Sequence, residues 1–180
     1  MKNLCSILTL LSFLIYGGSV WGDPLAVGEP MTTYSLADQH GNAHILQKDT
    51  RFVVLAFEMQ LAKTLHQWLA KQDANYLTQH QTEYVADISG MPSIITMLFA
   101  GPKMRRYPFP IILADNPDFA GGFPQQTGKI SLIQLDAEQV VSGIQYVATP
   151  DEIQAVIDPA GYKQRNEFDP GDVTAPVPRS

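Results

Sequence analysis

The chain has 180 residues, enough for one domain with a substantial core and too few for two ordinary ones. Hydrophobic residues make up 45% and charged residues 17%, the balance of a globular chain rather than a disordered one. The formal net charge is −6 with Lys and Arg scattered, which speaks against a nucleic-acid-binding surface.

The first stretch reads as a secretory leader. Lys2 gives a positive start, Leu4 to Tyr16 is apolar, and the small residues from Gly17 to Gly22 place Val20 and Gly22 for a peptidase cut after Gly22. The apolar run falls short of the roughly 20 residues a membrane span needs, and no later stretch is long enough. The expectation is a mature chain from Asp23 onward, exported to the periplasm, with secretion as second choice. The single cysteine, Cys5, lies inside the leader. A mature chain without it forms no disulfide, carries no thiolate and has no cysteine ligand for a metal, so packing alone must hold it.

Elements follow in order. Tyr34-Ser35-Leu36 and Ala43-His44-Ile45-Leu46 flank a turn at Asp38 to Asn42, where Gly41 and Asn42 suit a tight hairpin. Phe52 to Phe57 is a continuous apolar run, the pattern of a strand covered on both faces. Leu61, Leu65, Trp68 and Leu69 then recur at helical spacing. Thr82 to Ile88 reads as a second strand. Pro92 suits a helix start, with Ile95, Leu98 and Phe99 on one face and a break or kink at Gly101-Pro102. Ile111 to Ala114 is a third strand. Ile130 to Leu135 and Val140 to Val147 are joined by a polar turn and should pair antiparallel. Thr149-Pro150-Asp151-Glu152 combines a cap, a first-turn proline and an acid three residues on, and Ile153, Val156 and Ile157 bury the helix it starts. From residue 159 the chain turns polar and rich in Pro and Gly, and a loose tail is expected. The order predicts an α/β fold with a mixed sheet, helices on both faces and an N-terminal hairpin.

Three stretches carry a family resemblance. Tyr34 to Gly41 resembles an "F-x-L-x-D-x-x-G" opening, Tyr107 to Asp115 resembles an "fPfp-llsD" strand, and Ser131 to Asp136 through Thr149 to Glu152 resembles a closing β-β-α. Together they are similar to the thioredoxin-like superfamily, in its peroxiredoxin and TlpA/ResA-type branch, with the Cys-free exported YtfJ-like proteins nearest in pattern. The likeness covers residues 30–158.

The departures carry the functional reading. The resemblance implies redox cysteines where the first strand meets the first long helix, because the positive field of a helix N-terminus stabilises a thiolate. Glu58, Met59, Gln60, Leu61 and Lys63 stand there instead. It also implies a cis-proline before the fourth strand, where Thr127-Gly128-Lys129 stand. Both halves of the redox apparatus are missing, so no catalytic residue and no cofactor are assigned. The vacated face, formed by Glu58 to Lys63, Met91-Pro92 and Gln125 to Lys129, is the expected binding surface, since thioredoxin-like domains take extended peptide there. The expected partner is another envelope protein or a peptide.

Other groups have a plain reading beside a chemical one. Asp87 and Asp115 end strands at the sheet edge where open α/β folds bind ligands, yet such Asp residues commonly cap the next turn. Lys103, Arg105 and Arg106 form a basic cluster that suits an anion or acidic partner, or a solvated face. His40 and His44 flank the hairpin turn and are expected on the surface rather than on a metal. His66 and His80 are expected on a helix surface and in a loop. Met59, Met91, Met97 and Met104 could offer soft ligands to copper, although methionines more often fill cores. The rival to a binding module is an enzyme or small-molecule binder reusing the same crevice with carboxylates and histidine.

Overall fold

The computed structural model describes residues 23–92 and 101–167. Strands β1 (Ser35–Asp38), β2 (Ala43–Ile45), β3 (Phe52–Ala56), β4 (Thr82–Asp87), β5 (Ile112–Ala114), β6 (Ile130–Leu135) and β7 (Val141–Val147) form one open sheet in the order β2-β1-β5-β4-β3-β6-β7. The helices are α1 (Met59–Leu69), α2 (Tyr76–Gln79), α3 (Gly101–Met104), α4 (Pro117–Gly121), α5 (Pro150–Ile157) and α6 (Pro159–Glu167).

The central three strands are parallel, with Val54 opposite Tyr84 and Ala86 opposite Leu113. A parallel pair needs a crossover, and α1 with α2 supplies the one between β3 and β4. β6 returns antiparallel against β3, and β7 against β6. The apolar run of β3 is explained by burial on both faces: Val53, Val54, Leu55 and Ala56 are at most 1% exposed. Val54 and Ala56 pack under α1 and α5 with Leu65, Leu69 and Ile153. Val53 and Leu55 point the other way, against Leu25, Met31, Tyr34 and Phe123. This is the mixed α/β sheet with helices on both faces that the periodicities predict.

Local chemistry sets the ends of the elements. In the hairpin turn, the Asp38 carboxylate accepts the backbone N–H groups of His40 and Asn42, each at 2.8 Å, and Gly41 adopts φ +87. Thr149 Oγ1 accepts the Glu152 N–H at 3.4 Å and donates to its carboxylate at 3.0 Å, the reciprocal cap read from the sequence.

Two features depart from expectation. α4 lies in what had no assigned element; its Asn116 side chain accepts the Asp118 N–H at 2.9 Å, and Pro117 takes the first turn. The loose tail expected from residue 159 is corrected over its first part, because Pro159–Glu167 is helical. Asp158 Oδ1 accepts the Gly161 N–H at 2.9 Å and starts that helix. The helix expected after Pro92, the leader and residues 168–180 lie outside the described residues.

Candidate functional site

The junction of β3 and α1 forms one side of the candidate site. Glu58 is extended (φ −117, ψ 135) and precedes the helix, but its carboxylate makes no bond to its own first turn. It reaches across instead, and Oε1 accepts the backbone N–H of Gly128 at 2.6 Å. That bond joins the two regions where the resemblance implies cysteines and a cis-proline. β6 follows directly after Gly128 and pairs with β3, so the sheet itself brings the regions together. Gly128 has φ +71, a left-handed backbone that favours glycine. The loop is pinned further by Ser131 Oγ donating to Pro124 O at 2.6 Å and Gln125 Nε2 donating to Ala120 O at 2.6 Å. Among the described residues there is no cis peptide bond.

The rest of the expected face lies on the other flank of α1. Met59 is 66% exposed. With Lys63, Met91 and Asp87 it lines a groove of about 180 Å3, and Ala62, Met104 and Tyr107 complete its walls. Lys103 also borders it, whereas Arg105 and Arg106 are exposed and do not. Gln60, Pro92 and Thr127 are exposed, Lys129 is half-buried, and Leu61 is half-buried against the core. The expected face is therefore two surfaces: a polar edge at Glu58 to Lys129, and an apolar groove beside it.

The acidic pair does not converge on this groove. Asp87 borders it, and its Oδ1 accepts the Ser89 N–H at 2.8 Å. Asp115 is exposed beyond β5 and is not among the lining residues. Among the described residues no group of three or more His, Cys, Asp or Glu is placed to hold a metal ion. Met59, Met91 and Met104 do share the groove, while Met97 lies outside the described residues.

His66 corrects its expected position. It is buried, 8% exposed, at the floor of the groove. The Tyr84 hydroxyl lies 2.9 Å from its Nε2, and the rings of Tyr107 and Phe109 pack against it at 5.1 and 6.4 Å. Burial, and after it the Lys103 ammonium, pushes its pKa down from 6.5 to about 4, so the ring is neutral at physiological pH. The neutral ring and the tyrosine hydroxyl share one buried hydrogen bond. A sequence signal existed: Ala62, His66 and Leu69 recur at helical spacing and are all buried. His40 is exposed and His44 sits 3.3 Å from Asp38, both on the hairpin as expected. His80 is half-buried, 3.9 Å from Asp158.

A second cavity, about 240 Å3, lies at the opposite end of the sheet around Thr50, Thr82 and Glu83. The Glu83 carboxylate there accepts three bonds: Tyr34 donates to one oxygen, and Gln47 N and Thr50 Oγ1 donate to the other at 2.9 and 2.8 Å. That network ties the chain before β3 to β4.

The chain matches no protein-family model and no curated protein. Solved structures of similar shape include the thioredoxin domain of a thiol-disulfide oxidoreductase from Bacteroides vulgatus, 14% identical over 80% of this chain and 98% of that one, with a TM-score of 0.49. A thio-disulfide isomerase from Thermus thermophilus is 16% identical over 74% and 98%, with a TM-score of 0.47. A peroxidoxin from Mycobacterium tuberculosis is 18% identical over 68% and 86%, with a TM-score of 0.45. The fold itself is an open mixed α/β sheet with helices packed on it. Likenesses this distant say nothing of activity, and this chain has no cysteine at the β3–α1 junction.

Proposed function

We propose that this is an exported, redox-inactive thioredoxin-like protein that binds another envelope protein or peptide, in the manner of the Cys-free YtfJ-like proteins its sequence resembles. The observation that carries the reading is the Glu58–Gly128 bond. A carboxylate bonded to the neighbouring loop stands where thiol exchange would need a sulfur, and a carboxylate cannot exchange disulfides. Export rests on the leader pattern of residues 1–22, and the periplasm is the first compartment to test.

The apolar walls of the adjoining groove favour binding over catalysis. Its one group with a shifted ionisation, His66, is committed to Tyr84 and has no partner nucleophile beside it among the described residues. The test is affinity capture of the mature chain from its native envelope, with bound proteins identified by mass spectrometry. A stoichiometric partner is expected, lost when Glu58 and Lys129 are both replaced by alanine. Capture that is indifferent to those changes, or no partner at all, would sink the reading. A bound small molecule copurifying with the chain would favour the rival, a ligand binder using the same crevice.

A further inference from the structure

We propose that the groove between α1 and the end of β4 seats one large apolar side chain of a partner peptide, with an adjacent carboxylate of that peptide held by Lys63 and Lys103. This rests on the binding reading above and specifies the chemistry of the partner.

Size comes first. At about 180 Å3 the groove accepts a single Leu, Met or Phe side chain, not a whole amphipathic helix. Its walls are apolar, from Ala62, Ile88 and Met104, and Met59 and Met91 flank its mouth. Thioether side chains are unbranched and polarisable, so they adapt to occupants of different shape. The floor adds no charge, because His66 is neutral and its Nε2 is hydrogen-bonded to the Tyr84 hydroxyl.

Charge then selects the neighbour. Lys63 and Lys103 border the groove, both exposed, and neither forms an ion pair among the described residues. Asp87 opposes them, but one of its oxygens is taken by the Ser89 amide. Two ammoniums against one carboxylate leave a local positive rim on a chain of net charge −6. At physiological salt, screening acts over about 8 Å, so a bound peptide responds to this rim more than to the distant acidic surface. The same two ammoniums oppose a metal cation among the methionines.

The experiment is fluorescence anisotropy with the mature chain and labelled peptides of about ten residues, each with a central leucine flanked by aspartates. Replacing the leucine by serine should weaken binding about tenfold or more, the loss of a buried aliphatic side chain. Replacing the aspartates by lysines should weaken it about fivefold, the scale of an exposed ion pair. The K63E/K103E double variant should reverse the charge preference, and its gain for the lysine peptide shows that it remains folded. Binding indifferent to peptide charge, or absent for all peptides, overturns the proposal. Saturation by Cu(I) or a fatty acid without any peptide response overturns it in favour of a small ligand. Partner capture that depends on Glu58 and Lys129 while every peptide fails would leave the binding role standing and this groove assignment refuted. Peptide binding without any captured partner would do the reverse.

Discussion

Protonating an imidazole that is buried beside an ammonium is costly, and His66 meets both conditions. Its folded pKa of about 4 lies below the unfolded 6.5, so between those values the unfolded chain takes up a proton that the folded one refuses. The stabilisation is full above pH 6.5 and is lost as pH falls toward 4, by about 3 kcal/mol over the window. Urea denaturation at pH 7, 5.5 and 4.5 should show that slope in the natural chain and lose most of it in His66→Gln. A glutamine can still hydrogen-bond with Tyr84 but does not titrate, so an unchanged slope would assign it to other groups. Glu58 gives a second test at this scale. Its bond to Gly128 is exposed, so Glu58→Ala should cost only about 1 kcal/mol. The clearer readout is the Gly128 amide, whose hydrogen exchange by NMR should quicken while amides of β3 hold steady. The acid at the helix start was legible in the sequence. Its partner, seventy positions on, was not, because no local pattern encodes which loop the sheet will bring alongside.

At the scale of elements, one side chain reinforces the β1–β5 ladder that joins the hairpin to the sheet. Gln39 donates from Nε2 to Phe109 O and accepts the Ile111 N–H at Oε1, both at 2.7 Å and both buried. Its amide thus stands in for a strand residue at the entrance to β5. Gln39→Leu removes both partners and strands a buried carbonyl and a buried N–H. A loss of about 2–6 kcal/mol in chemical denaturation is expected, at 1–3 kcal/mol for each orphaned group. A loss below 1 kcal/mol would mean water replaces the amide. The helices divide by how local their signals are. α5 was readable because Thr149 and Glu152 satisfy each other within one turn. α4 carried the same kind of signal in Asn116-Pro117 but spans only five residues, too few to show an apolar period. α6 was hidden by its glycine and proline. Pro159 opens the helix, and a Cβ at Gly161 would fall 2.1 Å from the Asp158 carboxylate that caps it, so both residues serve the helix start.

For the whole molecule, stability has to come from the two apolar layers on either side of one sheet. Val53, Leu55, Leu132 and Ile133 are at most 1% exposed at its centre. The sole cysteine precedes the expected cleavage point, so the thermal midpoint of the mature chain in calorimetry should be the same with and without reductant. A shift would mean that Cys5 is retained and paired between chains. The sequence by itself determined what depends on neighbours within a few residues: the continuous apolar run of β3, the 3.6-residue apolar period of α1, the hairpin turn at Asp38 to Asn42, the cap at Thr149, and the absence of a thiol from the β3–α1 junction. Only the tertiary structure decided the sheet order, with β5 inserted between β1 and β4, the bond from Glu58 to Gly128, and the methionine-lined groove that forms over His66. Each of these joins segments far apart in the chain. Such contacts are chosen by how the layers close around a shared core, not by any local periodicity.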